Sequence, residues 1–229
     1  MFSIITPMDT NRLEQFANTK RTYDAMPQVK EFIIPTRTAD KVGAFLKENG
    51  LDAGVTLLPY EWTRGFNPSK ALNMGVRAAK YDQIIITSPE VTPKTNVLEQ
   101  LSEAIGQNIV CQVFDQNERG ELHMSLVNKS FRNENPAMYF LAMFNKADIE
   151  AINGWDEDFM MGYAYEDNDF GARWMRAGLP FVVRDDIQAI HQYHPRGETI
   201  RGGTSTNFEK FNESNDKGVV CPKNGLNVI

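Results

Sequence analysis

Cysteine is nearly absent: Cys111 and Cys221 are the two in 229 residues, far apart and with no CxxC partner. That argues against a disulfide framework and for free thiols in a reducing compartment. Long apolar runs are missing too, since nothing approaches the roughly 20 residues a membrane helix needs. The opening MFSIITPMDTNR lacks the basic start and long apolar stretch of a secretion signal. These absences together lead to the expectation of a cytoplasmic protein. Basic charge is not in excess either, with 24 Lys+Arg against 30 Asp+Glu and a net charge of −6. A non-specific polyanion binder would carry a basic stripe; the nearest local patch is His191–Arg201, with Arg184 just before it. No internal repeat and no linker divides the chain.

What remains is ordinary globular composition, 41% hydrophobic and 24% charged, on a chain long enough for a substantial core. Short β-branched apolar runs at Phe2–Thr6, Lys30–Pro35, Val55–Leu58 and Asp82–Thr87 read as strands. Between them, Asn11 to Ala25, Asp40–Asn49 and Asn67–Lys80 read as helices. Alternation at βαβ spacing predicts an α/β fold with a mostly parallel central sheet and helices on both faces. In such sheets ligands bind outside the carboxyl ends of the strands, which singles out Thr6-Pro7, Pro35-Thr36-Arg37 and Ser88-Pro89-Glu90. The second half is less regular. It has a helix at Asn96–Ile105 and strands at Ile109–Phe114, Ser125–Val127 and Met138–Phe144. A short helix (Lys146–Ile152) follows, then a helix from Glu166 and strands at Phe181–Val183 and Ile187–Ile190. From Gly197 the chain is rich in Gly, Asn, Ser and Thr and reads as a mobile loop plus irregular structure. The expected organisation is a single domain over 1–229, with a regular half (1–95), a less regular half (96–196) and a mobile C-terminal segment (197–229).

Two constellations carry chemistry. The stretch GWDEDFMMGYAYEDNDFGARWMRAG (Gly154–Gly178) runs from a turn through an aromatic loop into a helix whose first turn holds Glu166, Asp167 and Asp169. Carboxylates there sit against the positive end of the helix dipole. Held on a rigid element, such a group suits a general base for a hydroxyl; the plain alternative is a set of ordinary first-turn charges. The second is HxxH, His191 and His194, directly after an apolar strand, where both imidazoles can reach one ion. Glu90 at the end of the most apolar strand adds a hard oxygen, and such a mixed set suits Mn²⁺, Mg²⁺ or Zn²⁺. The alternative is two surface histidines and a turn-capping glutamate. His123 has no assigned role.

Three segments, taken in order, resemble the nucleotide-sugar glycosyltransferases of GT-A fold, most nearly the β-1,4-galactosyltransferases and the family 2 enzymes. They are FNPSKALNMGV (Phe66–Val76), IIITSPEVTP (Ile84–Pro93), and FLAMFNKADIEAINGWDEDF followed by YEDNDF. The resemblance spans roughly residues 2–196 and implies a UDP-sugar donor and a divalent metal, Mn²⁺ ahead of Mg²⁺. It implies Asp167 as the base that deprotonates the acceptor hydroxyl, with inversion at the sugar carbon, Glu166 orienting the acceptor, and Tyr163 packing on the sugars or serving as a plain packing aromatic. It puts Glu90 on the last acid of the family's DxD motif and His191 and His194 on its other metal positions. Thr6, Pro7, Asp9, Arg37, Phe66, Lys70, Asn73, Ser88 and Arg196 fall in segments that contact the donor. Gly197–Asn207 would close over it.

The chain departs from the pattern in three places. Ser88 and Pro89 replace the first two positions of DxD. Pro68 stands where the galactosyltransferases have an arginine, moving a diphosphate contact to Lys70, Arg64 or Arg196. The second strand ends in Pro35-Thr36-Arg37 rather than in the aspartate that reads uracil, so the base stays open. So does the acceptor, a saccharide or a modified nucleobase among the choices. A domain of this fold that binds without turnover is the alternative. A nucleotidyltransferase would show a glycine-rich basic loop after the first strand, where this chain has PMDTNR.

Overall fold

The computed structural model describes residues 1–61, 68–126, 138, 140–162, 164–195 and 203–227. Its first half follows the expected alternation: β1 (Phe2–Ile5), α1 (Leu13–Asp24), β2 (Lys30–Thr36), α2 (Ala39–Glu48), β3 (Val55–Pro59), α3 (Pro68–Ala78) and β4 (Gln83–Thr87). These strands lie in the order β3-β2-β1-β4, every pair parallel. All residues of β1 and β4 are buried, as strands covered by helices on both faces must be. Phe2 and Ile4 point into one core with Phe16, Tyr23 and Val42 of α1 and α2. Ile5, Ile84 and Ile86 point into the other with Leu72 and Val76 of α3.

Beyond β4 the sheet is mixed. It adds β5 (Val91–Pro93), β6 (Ile109–Gln116), β7 (Leu122–Ser125), β8 (Leu141–Asn145) and β9 (Val182–His191), in the order β4-β8-β6-β9-β5, with β7 on β6. Strand β8 is antiparallel to both β4 and β6, β9 is parallel to β6, and β5 is antiparallel to β9. The parallel expectation therefore holds for the first half only. Strands β6 and β7 join through the tight Asn117–Glu121 turn, and such sequence neighbours pair antiparallel. The two short strands expected between 181 and 190 are one strand, with a register shift opposite Cys111 and Gln112.

Among the described residues four more α-helices follow: α4 (Val97–Ser102), α5 (Lys146–Ala151), α6 (Glu166–Arg176) and α7 (Gly203–Asp216). Helix α6 lays Phe170 and Trp174 against Phe144 of β8, and Trp155 stacks on Phe170 at 4.0 Å between centroids. Helix α7 corrects the expectation of irregular structure after residue 197. Its buried stripe is Asn207, Phe211 and Ser214, at i, i+4 and i+7, and only one of the three is apolar. Hydrophobic periodicity cannot reveal a helix that docks through polar groups. Among the described residues no helix is long and apolar enough to cross a membrane.

Helix α3 approaches β1 closely at Gly75, where an added Cβ would lie 2.4 Å from Ile5 Cγ2. Gly75→Ala is expected to lower stability by about 1–3 kcal/mol through overpacking, read as a shift of the urea unfolding midpoint with unchanged slope.

Candidate ion site and acid pair

The ion-binding group is assembled by strand pairing. Strand β4 ends in a turn, Ser88-Pro89-Glu90, closed by the Val91 N–H donating to Ser88 O at 3.1 Å. The antiparallel register then sets Val91 opposite His191. Glu90 Oε1 lies 3.4 Å from His191 Nε2 and 3.5 Å from His194 Nε2, and the three ligand atoms fall within 4.8 Å of one another. The side chains are mostly covered, 12% exposed for Glu90, 18% for His191 and 15% for His194. Each imidazole uses its Nδ1 elsewhere: His191 with Asp115 Oδ1 and His194 with Pro195 O, both at 3.0 Å. Protons on Nδ1 leave both Nε2 atoms aimed at Glu90. Glu90 Oε2 is buried and makes no hydrogen bond among the described residues.

A carboxylate, two imidazole nitrogens and an unsatisfied buried oxygen fit a divalent cation. Burial works to raise the Glu90 carboxyl. Hydrogen bonds from His191 and His194, with the charges of His191 and Arg12, outweigh it and hold the group at about 2. The bond to Glu90 in turn raises His194. Arg12, which sequence reasoning passed over, brings its Nε to 3.8 Å from Glu90 Oε2.

The acid pair opens α6. A short connection separates α6 from β9, so the helix runs back along the sheet. Its first turn lies toward the end where β1, β2, β4 and β9 finish, which is also the end that carries the ion-binding group. Glu166 and Asp167 are half-buried, and burial raises both carboxyls above their ordinary range. The neighbouring charge of Asp167 raises Glu166 further. Asp167 Oδ1 accepts from the Asn168 N–H at 2.8 Å, and Glu166 Oε2 is buried without a hydrogen bond among the described residues. Asp169, in the same turn, belongs to the interior: it accepts from Arg173 Nε and Ser214 Oγ, both at 2.7 Å.

The entry to α6 is strained. Ala164 and Tyr165 have φ of 63° and 69°, a left-handed region costly for residues with a Cβ. Helix α7 holds them there. Asn207 Nδ2 donates to Ala164 O at 2.6 Å and to Phe159 O at 3.1 Å. The Tyr165 ring packs on Phe208 and Phe211 at centroid distances of 5.3 and 5.7 Å.

The residues expected to contact the donor are placed unevenly. Thr6 and Pro7 are buried at the end of β1, and Thr6 Oγ1 has no hydrogen bond among the described residues. Asp9 and Arg37 are joined as one unit: Arg37 Nε donates to Asp9 Oδ2 at 2.6 Å, its Nη2 donates to the same oxygen, and the Arg37 N–H donates to Oδ1 at 3.0 Å. Beside them a cavity of about 600 Å³ is lined by Arg37, Thr38, Tyr60 and Glu61. Lys70 is half-buried on α3 and Ser88 is buried. Asn73 lies in the interior of α3. It is fully buried, its Nδ2 donates to Trp155 O at 2.8 Å, and its Oδ1 accepts from the Trp155 N–H at 2.9 Å. It pins the Gly154-Trp155 turn. Phe66, Tyr163, Arg196 and Arg64 lie outside the described residues.

Comparison with known proteins agrees with this arrangement. Residues 122–196 match the family model described as the N-terminal domain of galactosyltransferase, a stretch holding Glu166, Asp167, His191 and His194. Over 76 residues the chain is 33% identical to YfnE, an uncharacterized glycosyltransferase of Bacillus subtilis (strain 168), covering 31% of this chain and 19% of that protein. The S. aureus TarS 1–349 structure superposes with a TM-score of 0.69 at 12% identity, over 92% of this chain and 62% of that one. The mannosyltransferase PcManGT of Pyrobaculum calidifontis, in complex with GDP-Man and Mn²⁺, gives 0.59 at 15% identity, over 90% and 59%. The chain thus matches less than a fifth of YfnE and under two thirds of either structure. The fold is that of these solved structures. The stretch similar to the galactosyltransferase model holds the acid pair and the HxxH turn.

Asn207→Ala should leave the Ala164 carbonyl without its partner, while Phe159 O keeps the Gly162 N–H, and lower stability by about 1–3 kcal/mol. Amide hydrogen exchange should rise most at residues 164–168, where the strained backbone loses its clamp.

Proposed function

We propose that the domain transfers a sugar from a nucleotide-diphosphate sugar to an acceptor hydroxyl with inversion, using Asp167 as general base. What supports this reading is the Glu90–His191–His194 group, whose ligand atoms lie within 4.8 Å of one another, at the end of the sheet toward which chain direction carries the first turn of α6. Donor contacts come from residues 1–95 and acceptor contacts from 96–196. The TarS structure in complex with UDP-GlcNAc and the mannosyltransferase with GDP-Man support a nucleotide-sugar donor, with UDP-sugar preferred on the galactosyltransferase-type match.

A divalent ion held by Glu90, His191 and His194 would neutralise the departing diphosphate as a Lewis acid. Two imidazole nitrogens suit Mn²⁺ better than the harder Mg²⁺. Arg12 fills the role left open by Pro68: a fixed guanidinium beside the leaving group stabilises charge as it develops. In the reaction the acceptor oxygen bonds to the sugar C1 while the bond from C1 to the diphosphate oxygen breaks. The hydroxyl proton passes to the Asp167 carboxylate, which burial has made more basic than an ordinary aspartate. Glu166 orients the acceptor. The loss of the first DxD acid at Ser88 favours one other reading, a domain that binds donor without turnover.

The two readings part on Asp167→Asn. With UDP-sugars, Mn²⁺ and a saccharide acceptor, wild type should release UDP and the variant should be slower by about 100-fold or more, with UDP binding kept. Equal, slow release by both would leave only the binding domain. A raised carboxyl pKa also sets signs for pH. The wild-type rate should fall on the acid side above the ordinary aspartate range, as the base is protonated. Protonated Asp167 is the form the fold favours, so its stabilising contribution is present at low pH and lost as pH rises through the raised pKa. Asp167→Asn should therefore raise Tm at neutral pH, and the gain should vanish below about pH 4, where an unfolded aspartate is itself protonated.

Arg12→Gln should act with opposite signs on two ligands. UDP affinity in the presence of Mn²⁺ should fall. Affinity for Mn²⁺ alone should rise, because a competing cation leaves Glu90.

A further inference from the structure

Two residues outside the ligand set determine its shape. Asp115 is opposite His191 in the parallel β6–β9 register, and its Oδ1 accepts the Nδ1–H of that imidazole at 3.0 Å. The Phe140 ring stands edge-on to the same imidazole at 6.3 Å, so the ring is held by a polar contact and a packing contact. A neutral imidazole carries one N–H, and only the Nδ1–H tautomer offers an Nε2 lone pair to an ion. An acceptor fixed at Nδ1 selects that tautomer.

Gln192, the residue between the two histidines' turn positions, ties the ligands' backbones together. Its N–H donates to Glu90 O at 2.9 Å. Its Nε2 lies 3.1 Å from the same carbonyl, 2.7 Å from Thr92 Oγ1 and 3.0 Å from Gln15 O. The glutamate turn, β5, α1 and the HxxH turn thus meet at one carboxamide.

We propose that Asp115 and Gln192 are positioning residues for a divalent-cation site, Asp115 by fixing the tautomer and orientation of His191 and Gln192 by locking the Glu90 main chain to the HxxH turn. The proposal rests on the ion-site reading above, and its test separates the two. Mn²⁺ is titrated calorimetrically into the full chain, with and without UDP, for wild type, Asp115→Ala, Asp115→Asn and Gln192→Ala. Thermal unfolding in EDTA runs in parallel. Asp115→Ala is expected to weaken Mn²⁺ binding about 10–100-fold, with Tm in EDTA close to wild type because Asp115 is part-exposed at the end of β6. The near-isosteric Asp115→Asn should fall between, and Gln192→Ala should also weaken binding. Wild-type Mn²⁺ affinity in both Asp115 variants overturns the proposal while leaving the ion site standing. A wild-type chain that takes up no Mn²⁺ even with UDP removes the ion site itself.

Discussion

The antiparallel pairing of β5 with β9 joins segments a hundred residues apart, and three residues of register decide the chemistry. Val91 opposite His191, Thr92 opposite Ile190 and Pro93 opposite Ala189 set the Glu90 carboxylate against two imidazoles. A one-residue slip would turn His191 to the other face of the sheet. The pairing is short, and its surroundings hold it: the Lys94 N–H donates to Gln188 O at 2.8 Å on one side, and the Gln192 carboxamide bridges to α1 on the other.

A buried polar framework does the same for the acid pair. Arg173 is fully buried and donates to Asp169 and to the carbonyls of Ile152 and Gly154. It links the middle of α6 to the turn that Asn73 grips from α3. Such a charge is tolerable only when every donor is matched, so the framework also specifies one position for α6. Helix α7 adds a further hold through Asn207, Ser214 and Lys210, the last an ion pair to Asp156 at 3.2 Å. The left-handed Ala164 and Tyr165 survive because contacts from α7 over-determine them.

Arg12 reaches the carboxylate side of the Glu90–His191–His194 group from the loop after β1. The middle DxD position is Pro89, in a tight turn that fixes Glu90 without a neighbouring acid. The site therefore leans on imidazole nitrogen and one carboxylate, with a second carboxylate, Asp115, behind one histidine.

Much of this was legible beforehand. The βαβ half, the apolar strands through Thr87, the α6 stripe of Phe170 and Trp174, and the ligand candidates Glu90, His191 and His194 are local patterns, and local patterns follow from periodicity and turn chemistry. What stayed hidden was non-local or polar: the direction of β8, the single bulged β9, and a helix at Gly203–Asp216 whose buried face is Asn207, Phe211 and Ser214. Asn73 and Asp9 carried the right residue types, but only packing shows one committed to the Trp155 turn and the other to Arg37. The amino-acid order by itself determined the strands of the first half, β1 to β4, and which side chains had the chemistry to bind a cation or take a proton, but not β5. The tertiary structure decided which of those groups meet, because that depends on register between distant strands and on buried polar bonds, neither of which leaves a period in the sequence.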